Sequence, residues 1–142
     1  MRNGLGRSGS NVSLVREQTR WWLQAARRDL EAAGLLVQGG IYELASFHCH
    51  QAAEKSLKAL FVERGVTERT HSGLELLSRL RQNGLKITDE LFHQVRKLDR
   101  SYIDSRYPSG VTAPEHLYDR KTAEELYQWA QSVMAFVQSN LP

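Results

Sequence analysis

Residues 45–65 read ASFHCHQAAEKSLKALFVERG, and their spacing decides the fold. At helical steps Ala45, Cys49, Ala52, Ser56 and Ala59 fall on one line, and all five are small. Small side chains in a row let a second helix approach closely, so this stretch reads as the central helix of a bundle. Tyr42, Ala53, Leu57 and Leu60 widen the line into an apolar face. Along one flank His48, Gln51, Lys55 and Lys58 recur at steps of three and four, giving a polar, mostly basic edge.

The chain has 142 residues, 41% hydrophobic and 25% charged, the size and composition of one globular domain. A net charge of +3 permits a nucleotide or RNA partner without arguing for one. Cys49 is the single cysteine, so no intramolecular disulfide forms. Its place on the small-residue line makes it a buried apolar group rather than a catalytic thiol. No apolar run is long enough to cross a membrane and no signal-peptide core opens the chain, so the expected location is cytoplasmic.

Working outward, residues 1–16 are rich in Gly, Ser and Asn, and read as a loose basic leader ahead of a single domain over 17–142. Glu17 to Gln38 is predicted as the first helix, with Trp22, Ala26, Ala33 and Val37 on one face and Gly39-Gly40 as its stop. Asp29 sits inside that apolar arc, where a carboxylate needs a cation or donor. The short connection makes the first two helices an antiparallel hairpin, which brings Asp29 opposite Lys55 or His48. Ile41 to Arg64 is the second helix, stopped by Gly65. Ser72 with Glu75 forms a capping box for a short third helix that Asn83-Gly84 closes. Thr88 caps a fourth, whose buried face is Leu91, Val95, Leu98 and Tyr102 and which ends at Pro108. A second capping box, Thr122 with Glu125, opens the fifth. No stretch alternates with period two. The predicted fold is all-α: an up-and-down antiparallel four-helix bundle plus one short extra helix.

GxSxG, HExxH and CxxC pairs are absent, and no phosphate-binding glycine loop, cofactor or metal is expected. His48 and His50 diverge on a helix, and His71 and His93 read as surface or capping groups. The informative stretch is HQVRKLDRSYIDSRYPSG at the end of the fourth helix. Arg96 and Arg100 share a side with His93, and Arg106 and Tyr107 follow at the Pro108 turn. Guanidinium forks suit phosphate, and Tyr102 and Tyr107 can stack on a base. The same spacing also fits a solvated face whose arginines pair with Asp99 and Asp104.

WWLQAARRDLEAAGLL, YELASFHCHQAAEKSLKALFVERG and LDRSYIDSRYPSG together resemble the HEPN domain family (higher eukaryotes and prokaryotes nucleotide-binding), over roughly Arg20 to Leu141. The resemblance implies a helical bundle, a homodimer and, in many members, a minimal nucleotidyltransferase partner in a toxin–antitoxin or nucleotide-handling pair. Many members are metal-independent endoribonucleases, with four to six residues between an arginine and a histidine near the end of this helix. Here the corresponding positions after Arg100 are Ser105, Arg106 and Tyr107, so the histidine is missing.

The leading expectation is therefore a domain, non-catalytic or weakly catalytic, that binds nucleotide or RNA phosphate and pairs with a nucleotidyltransferase. Its ligand-binding residues would be Arg100, Arg106, Tyr102, Tyr107 and Arg96, with Lys55 and Lys58 contributing. Asp29, His48 and Gln51 would form a structural polar network. The alternatives are a metal-independent endoribonuclease and a non-catalytic dimerisation module.

Overall fold

Five helices and no strand make up the described residues of the computed structural model, which are 9–66, 69–105, 113 and 117–142, with side chains from residue 14 onward. They are α1 (Gly9–Gln38), α2 (Tyr42–Glu63), α3 (Gly73–Gln82), α4 (Asp89–Asp104) and α5 (Arg120–Ser139). The four long helices form the bundle and α3 is the short extra one. In α2 the small-residue line is wholly enclosed: Ala45, Cys49, Ala52, Ser56 and Ala59 have no exposed surface. α2 contacts every other helix. Burial pushes the Cys49 thiol up to about 12, which keeps it protonated and unreactive.

Helices α1 and α2, α2 and α4, and α4 and α5 run antiparallel. Thr19 meets Glu63, Trp22 meets Lys58 and Asp29 meets Lys55 between α1 and α2. His50 meets Asp99 and Ser46 meets Ser101 between α2 and α4. His93 packs on Trp129 between α4 and α5, and Tyr127 of α5 closes back on Gly34 of α1. The three turns after α1, α2 and α3 share one device. After α1, Ile41 N–H reaches back to Leu36 O at 2.9 Å and Gly40 N–H to Val37 O at 3.1 Å. Such a cap requires a left-handed residue, and Gly40, Gly65 and Gly84 each have positive φ.

Two boundaries differ from expectation. α1 starts at Gly9 rather than Glu17, so residues 9–16, read as part of the leader, are its first turns. Thr19 Oγ1, 2.9 Å from Val15 O and 3.0 Å from Glu63 Oε1, lies where α1 meets the end of α2. α5 is capped by Asp119 and not Thr122: the Asp119 carboxylate accepts from Thr122 N–H at 2.8 Å. That bond holds the Asp119 carboxyl below the usual carboxylate range. Asp is a strong N-cap, and Thr122 takes the third helical position instead. The caps at Ser72 (from Glu75 N–H) and Thr88 (from Leu91 N–H) are as expected.

Candidate functional site

α4 carries the expected site residues, and its two sides do different things. On the side facing α5, Arg100 reaches into water with 80% of its side chain exposed. Its single described ion pair is a long one, 3.4 Å, to Asp104 one turn on. Lys97, Arg100, Ser101, Asp104, Tyr118 and Trp129 are among the residues lining a cleft of about 290 Å³ between α4 and α5. Burial, with the Asp104 charge adding to it, raises the Tyr118 phenol above its ordinary value, so it stays a neutral hydrogen-bond donor. Arg96 is also exposed on α4. Arg106 and Tyr107 lie outside the described residues.

On the opposite side Tyr102 faces α2, away from Arg100, and belongs to a row of rings. Its ring stacks with Phe47 (centroids 5.9 Å apart) and with His71 (5.9 Å, planes 11° apart), and His50 lies 4.6 Å away. His48 adds an edge contact to Phe47 at the end of the row. Sequence spacing grouped Arg100 with Tyr102; a rotation of about 200° between positions two apart separates them.

Beneath these rings lies a set of carboxylate–cation pairs along the polar flank of α2. Asp29 accepts from His48 Nδ1 at 2.8 Å and from Lys55 Nζ at 2.6 Å. Glu54, 4% exposed at its side chain, accepts from Lys58 at 3.0 Å and lies 3.1 and 3.3 Å from His71 Nδ1 through its two oxygens. Lys55 and Lys58 are thus engaged inside the fold rather than held out for a ligand. The Lys58 ammonium also lies over the Trp22 ring, 5.6 Å from its centroid. Gln51 Oε1 is buried without a hydrogen bond among the described residues.

Asp99 does not pair with an arginine. It accepts from His50 Nε2 (3.1 Å), Ser72 Oγ (3.2 Å), Gly73 N–H (2.8 Å) and Leu74 N–H (3.0 Å), holding the start of α3 against α2 and α4. Burial pushes the Asp99 carboxyl up, but the His50 bond and the two backbone N–H groups outweigh it, and the net is below the usual range. Glu54, Asp99 and His71 were missed as a group by sequence reasoning. A signal existed for two of them: Glu54 between Ala53 and Leu57, and Asp99 between Leu98 and Tyr102, are carboxylates in apolar arcs, like Asp29.

A larger cleft, about 540 Å³, lies between α1 and the end of α2, lined by Gln18, Trp21, Trp22, Lys58, Phe61, Val62 and Val66. Its one cation is already paired with Glu54, so the smaller α4–α5 cleft offers more to an anion. Among the described residues no cluster of three or more His, Cys, Asp or Glu is placed to hold a metal, and no helix is long and apolar enough to cross a membrane.

The HEPN domain family model matches residues 19–140. A crystal structure of a Thermus thermophilus protein superposes with a TM-score of 0.83 at 36% identity, covering 87% of this chain and 98% of that one. An archaeal HEPN homologue gives 0.72 at 30% identity (86% and 96% covered), and an HEPN domain protein of Thermotoga maritima 0.69 at 32% (83% and 94%). A Methanocaldococcus jannaschii protein named as a candidate toxin is 25% identical over 148 residues, covering 94% of this chain and 92% of that one.

Proposed function

Because the chain belongs to the HEPN domain family, we propose that it binds a nucleotide or RNA phosphate in the α4–α5 cleft and works beside a minimal nucleotidyltransferase. The observation that carries the binding reading is Arg100, extended into water at the lip of that cleft with Lys97 alongside. A guanidinium held by one long contact to Asp104 is free to trade it for a phosphate, since a bidentate charged hydrogen bond is shorter and stronger. Trp129 and Tyr118 supply rings for a base. The likeness to a candidate toxin supports a paired, toxin–antitoxin type of setting. Exposed Leu35, Ile41 and Leu44 around the α1–α2 turn are apolar surface that a second copy or the partner would cover.

Titration of a labelled nucleotide and a short single-stranded RNA, at low and high salt, tests this. Arg100→Ala is expected to weaken binding about tenfold and to flatten the salt dependence. Equal affinity in wild type, Arg100→Ala and Lys97→Ala would remove the cleft from consideration. Co-expression with a neighbouring nucleotidyltransferase and light scattering of the complex test the partnership.

A second reading, metal-independent RNA cleavage, draws on one observation: His71 is oriented by a buried carboxylate and still faces water.

A further inference from the structure

We propose, resting on the binding reading above, that the nucleotide taken by the α4–α5 cleft is a guanine nucleotide. Glu125 of α5 accepts from the N1–H and N2–H groups of the base, while Lys97 and Arg100 of α4 hold the phosphate.

A carboxylate without a partner weakens an anion site, and Glu125 is one. Among the described residues the cleft is lined by two cations, Lys97 and Arg100, and two carboxylates, Asp104 and Glu125. Asp104 is occupied on its own helix, where it accepts from Arg100 Nε at 3.4 Å. Glu125 is exposed and makes no hydrogen bond or ion pair among the described residues, whereas its neighbour Glu124 lies 3.7 Å from Arg120. Two negative charges set against two positive ones leave no surplus to follow an RNA backbone, which needs several neutralised phosphates. A volume of about 290 Å³ likewise suits one small molecule rather than a strand. The charged groups are also sorted by wall. Both cations stand on α4 and the unpartnered carboxylate on α5, so the fitting ligand offers acceptors to one side and donors to the other.

An ionised carboxylate only accepts, and does so through two oxygens. Of the four RNA bases, guanine alone presents two adjacent N–H donors on its pairing edge. Adenine and cytosine set a ring-nitrogen acceptor beside their amine, and uracil sets its one N–H between two carbonyls. Glu125 therefore bonds twice to guanine and meets a repelling lone pair on each of the others. Trp129 follows Glu125 by one turn of α5, which puts an indole and the carboxylate on the same side of the helix. His93 packs edge-on against that indole, with ring centroids 6.2 Å apart, so a base bound at Glu125 lies beside a fixed ring.

Isothermal titration calorimetry of GMP, AMP, CMP and UMP against wild type, Arg100→Ala, Glu125→Gln and Glu125→Ala tests this. Wild type is expected to bind GMP about tenfold or more tighter than the other three. Glu125→Ala should abolish that preference, and Glu125→Gln, whose amide donates as well as accepts, should lose most of it. Arg100→Ala should weaken all four alike and leave the preference standing. Equal wild-type affinities for the four, or a GMP preference that survives Glu125→Ala, would overturn the guanine assignment while leaving the phosphate site in place. So would Glu125 variants that tighten every nucleotide alike, the mark of a carboxylate that only repels phosphate. No binding by wild type, or affinities that Arg100→Ala leaves unchanged, would remove the cleft and both readings with it.

Discussion

Asp29 was legible as a residue needing a partner because its neighbours at helical spacing are apolar, and the hairpin turn put cations opposite it. Replacing it with alanine is expected to cost about 2 kcal/mol in denaturant unfolding. That is less than the roughly 3–5 kcal/mol for a wholly buried pair, because His48 and Lys55 can turn toward water. No change in stability would mean that the pair is a surface contact. Asp99 was read instead as a neighbour of arginines, because nothing local reveals that α3 begins against it. Its carboxyl lies below the usual range in the folded state, so its contribution is present above the unfolded value of about 3.9 and lost as pH falls through the folded one. Asp99→Asn is therefore expected to be less stable at neutral pH and to lose less stability than wild type below about pH 4. Parallel curves of stability against pH for the two proteins would count against this.

At the scale of elements, glycine stops and Ser or Thr caps were readable because their chemistry is local. The start of α5 was misread because both Asp119 and Thr122 are competent caps and spacing cannot choose between them. Gly73 carries a requirement that no local rule announces. A Cβ there would lie 2.6 Å from Val95 Cγ1 and 3.1 Å from Asp99 Oδ1, so α3 sits directly on α4. Gly73→Ala is expected to cost about 1–3 kcal/mol, with crosspeaks of Ser72, Leu74 and His50 shifting together as Asp99 is displaced. A protein as stable as wild type would place α3 further out. The α1–α2 seam should be equally intolerant: Ala52, with no exposed surface, has no room for leucine, and Ala52→Leu is expected to cost about 1–3 kcal/mol. An unchanged melting temperature would take that line out of the core.

For the whole molecule, periodicity and turn chemistry were enough to specify four long helices and a short one, because each helix carries a buried apolar stripe. The site was less readable. Which ring meets which, and which carboxylate takes which cation, depends on contacts between residues such as Glu54 and His71, or His50 and Asp99, that spacing along one helix does not reveal. The glycine-capped turns have a consequence in time as well as in space. The α1–α2 hairpin closes over one short turn, whereas α5 returns from the far end of the chain to pack on both α2 and α1. Helical bundles belong to the domains that fold in microseconds to milliseconds. The α1–α2 hairpin should lead. In stopped-flow or temperature-jump experiments Ala52→Gly is expected to slow folding, while Ala130→Gly in α5 mainly speeds unfolding. The reverse partition would show that the chain ends meet before the hairpin does.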